Sequence, residues 1–169
     1  MSANKVEQIE LRLGYEPGVI GRIGELHGRF YASAWNASWP FEILLLRELC
    51  EMMERYDAAR DLLVTAWIND TLIGSTAVRG GVGAAEWAQL RFVIVDTQWQ
   101  GRGAGKAMLN AALKWSREQN FRKIFLWTVE GLPASRWMYE AAGFRVVERL
   151  NDDRYTVPRE NLRMELSLE

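Results

Sequence analysis

The sequence predicts an α/β (α+β) domain in which about seven strands and four helices share one core. Three observations predict it. Strand-like and helix-like periodicities alternate along the chain in the order β-α-α-β-β-β-α-β-α-β-β. Asn69-Asp70 joins two adjacent strand runs, and both residue types tolerate positive φ, so that pair closes as a tight hairpin. The run KIFLWTV at 123–129 lacks polar alternation, as a strand covered on both faces does.

Each element has its own signal. Ile9, Leu11 and Leu13 alternate with Glu10 and Arg12, giving a half-buried first strand. Beyond Pro17, the residues Ile20, Ile23, His27 and Tyr31 recur at helical spacing, which predicts a helix over about 18–34. A Trp-rich turn at 35–40 leads into an apolar second helix over about 41–56. Strand runs at 62–68 and 71–79 flank the hairpin turn, and Gly80, Gly81 and Gly83 form a loop before a fourth strand at 87–95. Residues 103–120 have helical composition, with Met108, Leu109, Ala112, Leu113 and Trp115 as the apolar face. After the strand at 123–129, Pro133 suits the first turn of a helix over about 133–142, which Gly143 can end in αL geometry. Two last strands are expected at 145–150 and 162–168. No repeat, low-complexity tract or linker divides the 169 residues, so 1–169 reads as a single domain.

Composition narrows the classes. With 49% hydrophobic and 25% charged residues the chain can bury a sizeable core. A net charge of −1 and a pI near 6.0 leave no basic surplus for phosphates, which argues against non-specific nucleic-acid binding. Cys50 is the sole cysteine, so no intramolecular disulfide forms; set among the apolar residues of 43–53, it reads as a buried, inert thiol. The N-terminal MSANKVEQIE lacks the apolar region of a signal peptide, and no apolar run approaches the ~18 residues that span a bilayer. A cytoplasmic protein with no membrane partner is expected.

The chemistry is concentrated at 95–106, VDTQWQGRGAGK, where a strand runs into glycines 101, 103 and 105 and then into a helix. Glycines let another group approach the backbone, and amide N–H groups at a helix N-terminus form an anion site. Arg102 and Lys106 add two cations, so a diphosphate is the natural guest. The spacing fits neither nucleotide loop. A P-loop requires G-x-x-x-x-G-K-[ST], and here three residues separate Gly101 from Gly105 while Ala107 stands where a hydroxyl is needed. A dinucleotide fingerprint requires G-x-G-x-x-G, and Lys106 occupies its third glycine position.

Here the sequence resembles the GNAT acetyltransferase superfamily. Gln100, Gly103 and Gly105 match its acetyl-CoA signature Q/R-x-x-G-x-G/A, and Tyr139-Glu-Ala-Ala-Gly-Phe144 matches its Y-E-x-x-G-F. Stretches at 26–35, 41–42, 89–96 and 126–144 also resemble acetyltransferase domains fused behind MarR-type winged-helix regulators. The resemblance implies the acyl-CoA N-acyltransferase fold: a mixed, mostly antiparallel sheet of about six or seven strands, splayed between the fourth and fifth, with pantetheine in the gap. On that reading Val93, Ile94 and Val95 lie along the pantetheine. Gln100, Gly101, Arg102, Gly103, Ala104, Gly105 and Lys106 hold the pyrophosphate of acetyl-CoA. Tyr139 matches the family's proton donor to the coenzyme A sulfur. The family's Asn seven residues earlier is Leu132 here, which leaves Ser135 or Arg136 as polar contacts to the cofactor.

The base is where this sequence departs from the family. Many relatives carry a Glu on the fourth strand; here Gln89 stands in its place, unable to take a proton but able to orient the acceptor or a water. Strict alternation puts Gln89, Arg91, Val93 and Val95 on one face, where Arg91 either pairs with a substrate carboxylate or joins a structural ion pair. Glu86 and Glu130 are fallback bases, and a chain of waters is the other route for the proton. His27, the sole histidine, reads as a packed core residue or as a group that contacts or deprotonates the substrate beside Tyr31, Trp35 and Trp39. Trp35 and Trp39 are placed to wall a pocket, and Trp127 on the fifth strand joins the substrate-binding candidates. No His, Cys and Asp spacing suits a metal.

The expectation is therefore an acyltransferase moving acetyl from acetyl-CoA directly to the primary amine of a small molecule, with an amino acid or other carboxylate-bearing amine as candidate acceptor. Two rivals keep the fold: a non-catalytic acyl-CoA sensor or interaction module, and a protein N-acetyltransferase. Exposed β-edges near the C-terminus are compatible with a homodimer.

Overall fold

The computed structural model describes residues 8–152 and 159–169; residues 1–7, within the stretch read above for a signal peptide, lie outside them. The chain runs β1 (Glu10–Leu13), α1 (Val19–Trp35), α2 (Trp39–Glu54), β2 (Asp61–Ile68), β3 (Thr71–Gly80) and β4 (Trp87–Val95). A 3₁₀ turn at Thr97–Trp99 precedes α3 (Ala104–Glu118), β5 (Lys123–Val129), α4 (Pro133–Ala141), β6 (Arg145–Asp152) and β7 (Arg159–Ser167). The order of strands and helices is the one expected, and only the 3₁₀ turn is new.

All seven strands form one sheet in the order β1-β2-β3-β4-β5-β7-β6. Each neighbouring pair is antiparallel except β4 and β5. The hairpin between β2 and β3 turns on Asn69 at φ 47° and Asp70 at φ 61°, the left-handed pair that a two-residue connection requires. α1 and α2 cover one face through Val19, Ile23, Leu26, Phe41, Leu45 and Leu49. α3 and the end of α4 cover the other through Met108, Leu109, Ala112, Tyr139 and, just beyond, Phe144. Burial of these side chains is the main term holding both layers on the sheet.

The parallel pair is short. β4 and β5 are in register only from Trp87↔Lys123 to Gln89↔Phe125, and beyond that point the strands part. On its other side β4 carries a bulge: Ser75↔Ile94 and Ala77↔Arg91 leave Thr76 opposite both Phe92 and Val93. Phe92 takes φ 51°, a conformation that an aromatic residue adopts only when its surroundings impose it. The Ser75 hydroxyl donates 2.7 Å to the Phe92 carbonyl and pins the bulge.

The bulge overturns strict alternation. Ala88 and Leu90 face α3, so Gln89 and Arg91 face α1 and α2. After the extra residue, Phe92 and Ile94 take over the α1 and α2 side, and Val93 and Val95 turn toward α3. Gln89 and Arg91 therefore do not share a face with Val93 and Val95.

Two readings of the second helix also change. Its buried stripe is Phe41, Leu45, Leu49 and Met52, spaced by three and four, which leaves Cys50 exposed rather than buried. The helix begins at Trp39, two residues earlier than expected, and its first turn points that indole outward at 70% exposure.

Candidate active site

Where β4 and β5 separate, a cavity of about 280 Å³ opens through the sheet. α1 supplies His27, Tyr31 and Trp35 as one wall, a stripe at four-residue spacing. α2 adds Phe41 and Glu48, β4 adds Gln89, Arg91 and Val93, and β5 adds Trp127. α4 brings Ser135 and Tyr139 from the opposite side of the sheet. Eight expected residues thus meet at one cavity besides Tyr139: His27, Tyr31, Trp35, Gln89, Arg91, Val93, Trp127 and Ser135.

Tyr139 is placed by its helix end. Gly143 at φ 103° stops α4, the Phe144 N–H returns to the Tyr139 carbonyl at 3.0 Å, and the Phe144 ring meets the tyrosine edge-on at 5.8 Å. The phenol is 5% exposed. Burial, with Tyr31 nearby as a smaller contributor, raises its pKa well above the usual range. At neutral pH it is a protonated donor facing the cavity.

His27 is buried at 3% exposure, and its Nδ1 lies 2.8 Å from the Ile23 carbonyl. Desolvation lowers its pKa to about 4, against a smaller upward pull from that carbonyl. Its ring stacks on Tyr31 at 6.3 Å and meets Phe92 edge-on at 6.4 Å. The packed-core reading is what the structure shows, and the ring also forms part of the cavity wall.

Arg91 reaches α2 instead of an open space. Its Nη2 donates 2.7 Å to Glu48 Oε2, and its guanidinium lies 4.8 Å from the Phe92 ring centre. Glu48 was not expected at the site; α2 positions it one turn before the buried Met52, and no short-range pattern ties it to β4. Asp152 and Asn161, from β6 and β7, also line the cavity and carried no sequence signal. Ser75 and Phe92 are the other residues missed, because nothing in a hydrophobic strand announces a bulge. The fallback bases lie elsewhere: Glu130 pairs with Arg136 and Arg149, and Glu86 borders a separate hollow beside Arg60 and Phe121. Trp39, exposed on the first turn of α2, walls nothing.

The glycine loop sits beyond the C-terminal end of β4. Gly101 has φ 76° and Gly103 φ 90°, and a Cβ added to either would meet nothing within 4 Å, so the loop has an open outer side. Gly103 caps α3, whose first amides have no side-chain cap. Gln100 folds back with its Nε2 donating 3.1 Å to the Val95 carbonyl. Arg102 stacks 4.5 Å over Trp99, and Lys106 is exposed on the first turn of α3. Uncapped amides, open glycines and two cations suit a diphosphate. Among the described residues no helix is long and apolar enough to cross a membrane, and no three His, Cys, Asp or Glu side chains cluster to hold a metal.

Comparison with known proteins gives a family. The model of the acetyltransferase (GNAT) family matches residues 22–144. Mycothiol acetyltransferase of Geodermatophilus obscurus is 32% identical over 113 residues, 64% of this chain; the chain matches 35% of that protein's length, about a third. Among solved structures, a GNAT-family acetyltransferase from Staphylococcus aureus Mu50 superposes with a TM-score of 0.77 at 17% identity, covering 96% of this chain and all of that one. The structure of yncA from Salmonella typhimurium with its cofactor acetyl-CoA superposes at 0.72 and 15% identity, covering 95% and 94%. These structures share the fold of this chain.

Proposed function

This chain belongs to the acetyltransferase (GNAT) family, an acyltransferase family that uses acetyl-CoA, and from that premise we propose that it acetylates the primary amine of a small molecule. One observation carries the reading: the cavity at the parted strands has Tyr139 on one side of the sheet and the His27, Tyr31 and Trp35 stripe on the other. An acyl donor entering from the glycine loop and an amine entering from the helical side meet there. Holding both in place supplies much of the rate.

The residues of the chain divide the work. The α3 N-terminus and Gly101 to Lys106 hold the diphosphate, and the freed edge of β4 near Val93, Ile94 and Val95 offers backbone groups to the pantetheine amides. Ser135 contacts the donor. Tyr139 gives its proton to the departing thiolate, and Gln89 orients the acceptor or a water. The cavity suits a small acceptor. Arg91 and Glu48 present both signs of charge in it, which favours an amine that also carries a carboxylate, such as an amino acid.

The test is a thiol-release screen with amino acids, polyamines and aminoglycosides, run on wild type and Tyr139→Phe. The reading predicts release with at least one amine and a loss of roughly 100-fold in the variant. Acetyl-CoA binding without release for any amine returns the sensor reading instead.

A further inference from the structure

The sole histidine is locked in one tautomer. A carbonyl oxygen only accepts, so the 2.8 Å contact with Ile23 places the ring proton on Nδ1. Because burial keeps the ring neutral, Nε2 is a bare acceptor. Among the described residues no group hydrogen-bonds Nε2. Buried polar atoms nearly always have partners. Among the described residues, the side-chain atoms sealed without one are Thr76 Oγ1, Arg159 Nε and Arg163 Nε, and Nε2 is not among them. It therefore opens on the cavity that the ring lines. Tyr31 and Phe92 fix the plane of the ring from two sides.

The amide and the carboxylates weighed as bases are unfit, paired or outside the cavity. Gln89 cannot take a proton, Glu48 is engaged by Arg91, Asp152 has a partner of its own, and Glu86 and Glu130 lie outside. Resting on the acetyl-transfer reading, we propose that His27 Nε2 is the atom that receives the proton shed by the acceptor amine. The amine lone pair forms the C–N bond to the thioester carbonyl carbon, and the C–S bond breaks. The thiolate takes the Tyr139 proton, and the surplus proton on nitrogen passes to Nε2. The imidazolium then returns a proton, through solvent, to the tyrosinate, so both residues end as they began. A weak base serves this step, because the N–H becomes acidic only once nitrogen carries positive charge beside the acyl carbon.

The experiment has a spectroscopic arm and a kinetic arm. With one histidine in the chain, ¹⁵N spectra of tag-free protein need no assignment. At neutral pH they are expected to show a protonated Nδ1 and an unprotonated Nε2; the opposite tautomer or an imidazolium overturns the proposal. Kinetics use whichever amine gives most thiol release. His27→Asn keeps an amide that can donate to Ile23 and removes the acceptor, whereas His27→Gln puts an amide oxygen near the Nε2 position. Expected is a loss of about 100-fold in kcat in both variants with unchanged acetyl-CoA affinity, because an amide oxygen accepts a hydrogen bond but does not take up the proton. Recovery in His27→Gln would show that Nε2 only orients the amine, and overturns the proposal. Wild-type kcat in His27→Asn refutes the role of His27. Absence of thiol release by the wild type itself refutes acetyl transfer first, a different failure.

Discussion

The hydroxyl of Ser75 on β3 donates 2.7 Å to the carbonyl of Phe92 on β4, a buried bond that holds the strand in its bulged form. That form separates the faces of Arg91 and Val93, in the stretch of β4 that β5 no longer pairs. Ser75→Ala removes the donor and leaves a buried carbonyl unpaired, at a cost of about 1–3 kcal/mol. Because the bulge lies beside the cavity, acetyl-CoA affinity should fall as well. Urea unfolding and calorimetry check the two effects; a variant as stable as wild type would show that the bulge needs no such tether.

His27 makes stability depend on pH in a definite direction. Its pKa is about 4 when folded, below the ordinary 6.5, so the unfolded chain takes the proton first. This contribution is present in full above about pH 6.5 and is lost as pH falls toward 4. By pH 5 the loss is about 2 kcal/mol. Urea midpoints at pH 7 and pH 5 should differ less in His27→Gln than in wild type, and equal differences would show the ring is not held neutral by burial.

Much of this was legible in the sequence because the signals are local. Asn69-Asp70 names its own turn, the α1 stripe of His27, Tyr31 and Trp35 is set by helical spacing, and Gly103 before an apolar helical face marks an uncapped N-terminus. What was illegible is long-range or irregular. Phe92 breaks alternation without a glycine to advertise it, and Glu48 reaches Arg91 across 43 residues of sequence. Cys50 and Trp39 sit one helical step off the buried stripe, a difference smaller than the uncertainty in helix phase that flanking residues leave.

Gly103→Ala tests the diphosphate loop through backbone conformation alone. At φ 90° there is room for a methyl group but a penalty of about 1–2 kcal/mol for an L-residue. Relaxation of the loop to avoid it would misdirect the first amides of α3. A weaker acetyl-CoA affinity with little change in acceptor KM is expected, from calorimetry and initial rates. Unaltered affinity would remove the loop from the donor site.

The Arg91–Glu48 pair bears on the acceptor. If Arg91 also meets a substrate carboxylate, Arg91→Ala raises the KM of a carboxylate-bearing amine by about tenfold and leaves amines without a carboxylate less affected. Parallel kinetics with matched amines decide the matter. An unchanged KM would confine Arg91 to its bond with α2.

The most direct measurement is calorimetric titration of well-folded protein with acetyl-CoA and with free coenzyme A. Single-site binding of both ligands, weakened in Gly103→Ala and preserved in Tyr139→Phe, is the predicted result. No detectable heat with either ligand would contradict the assignment of this cleft to a CoA thioester.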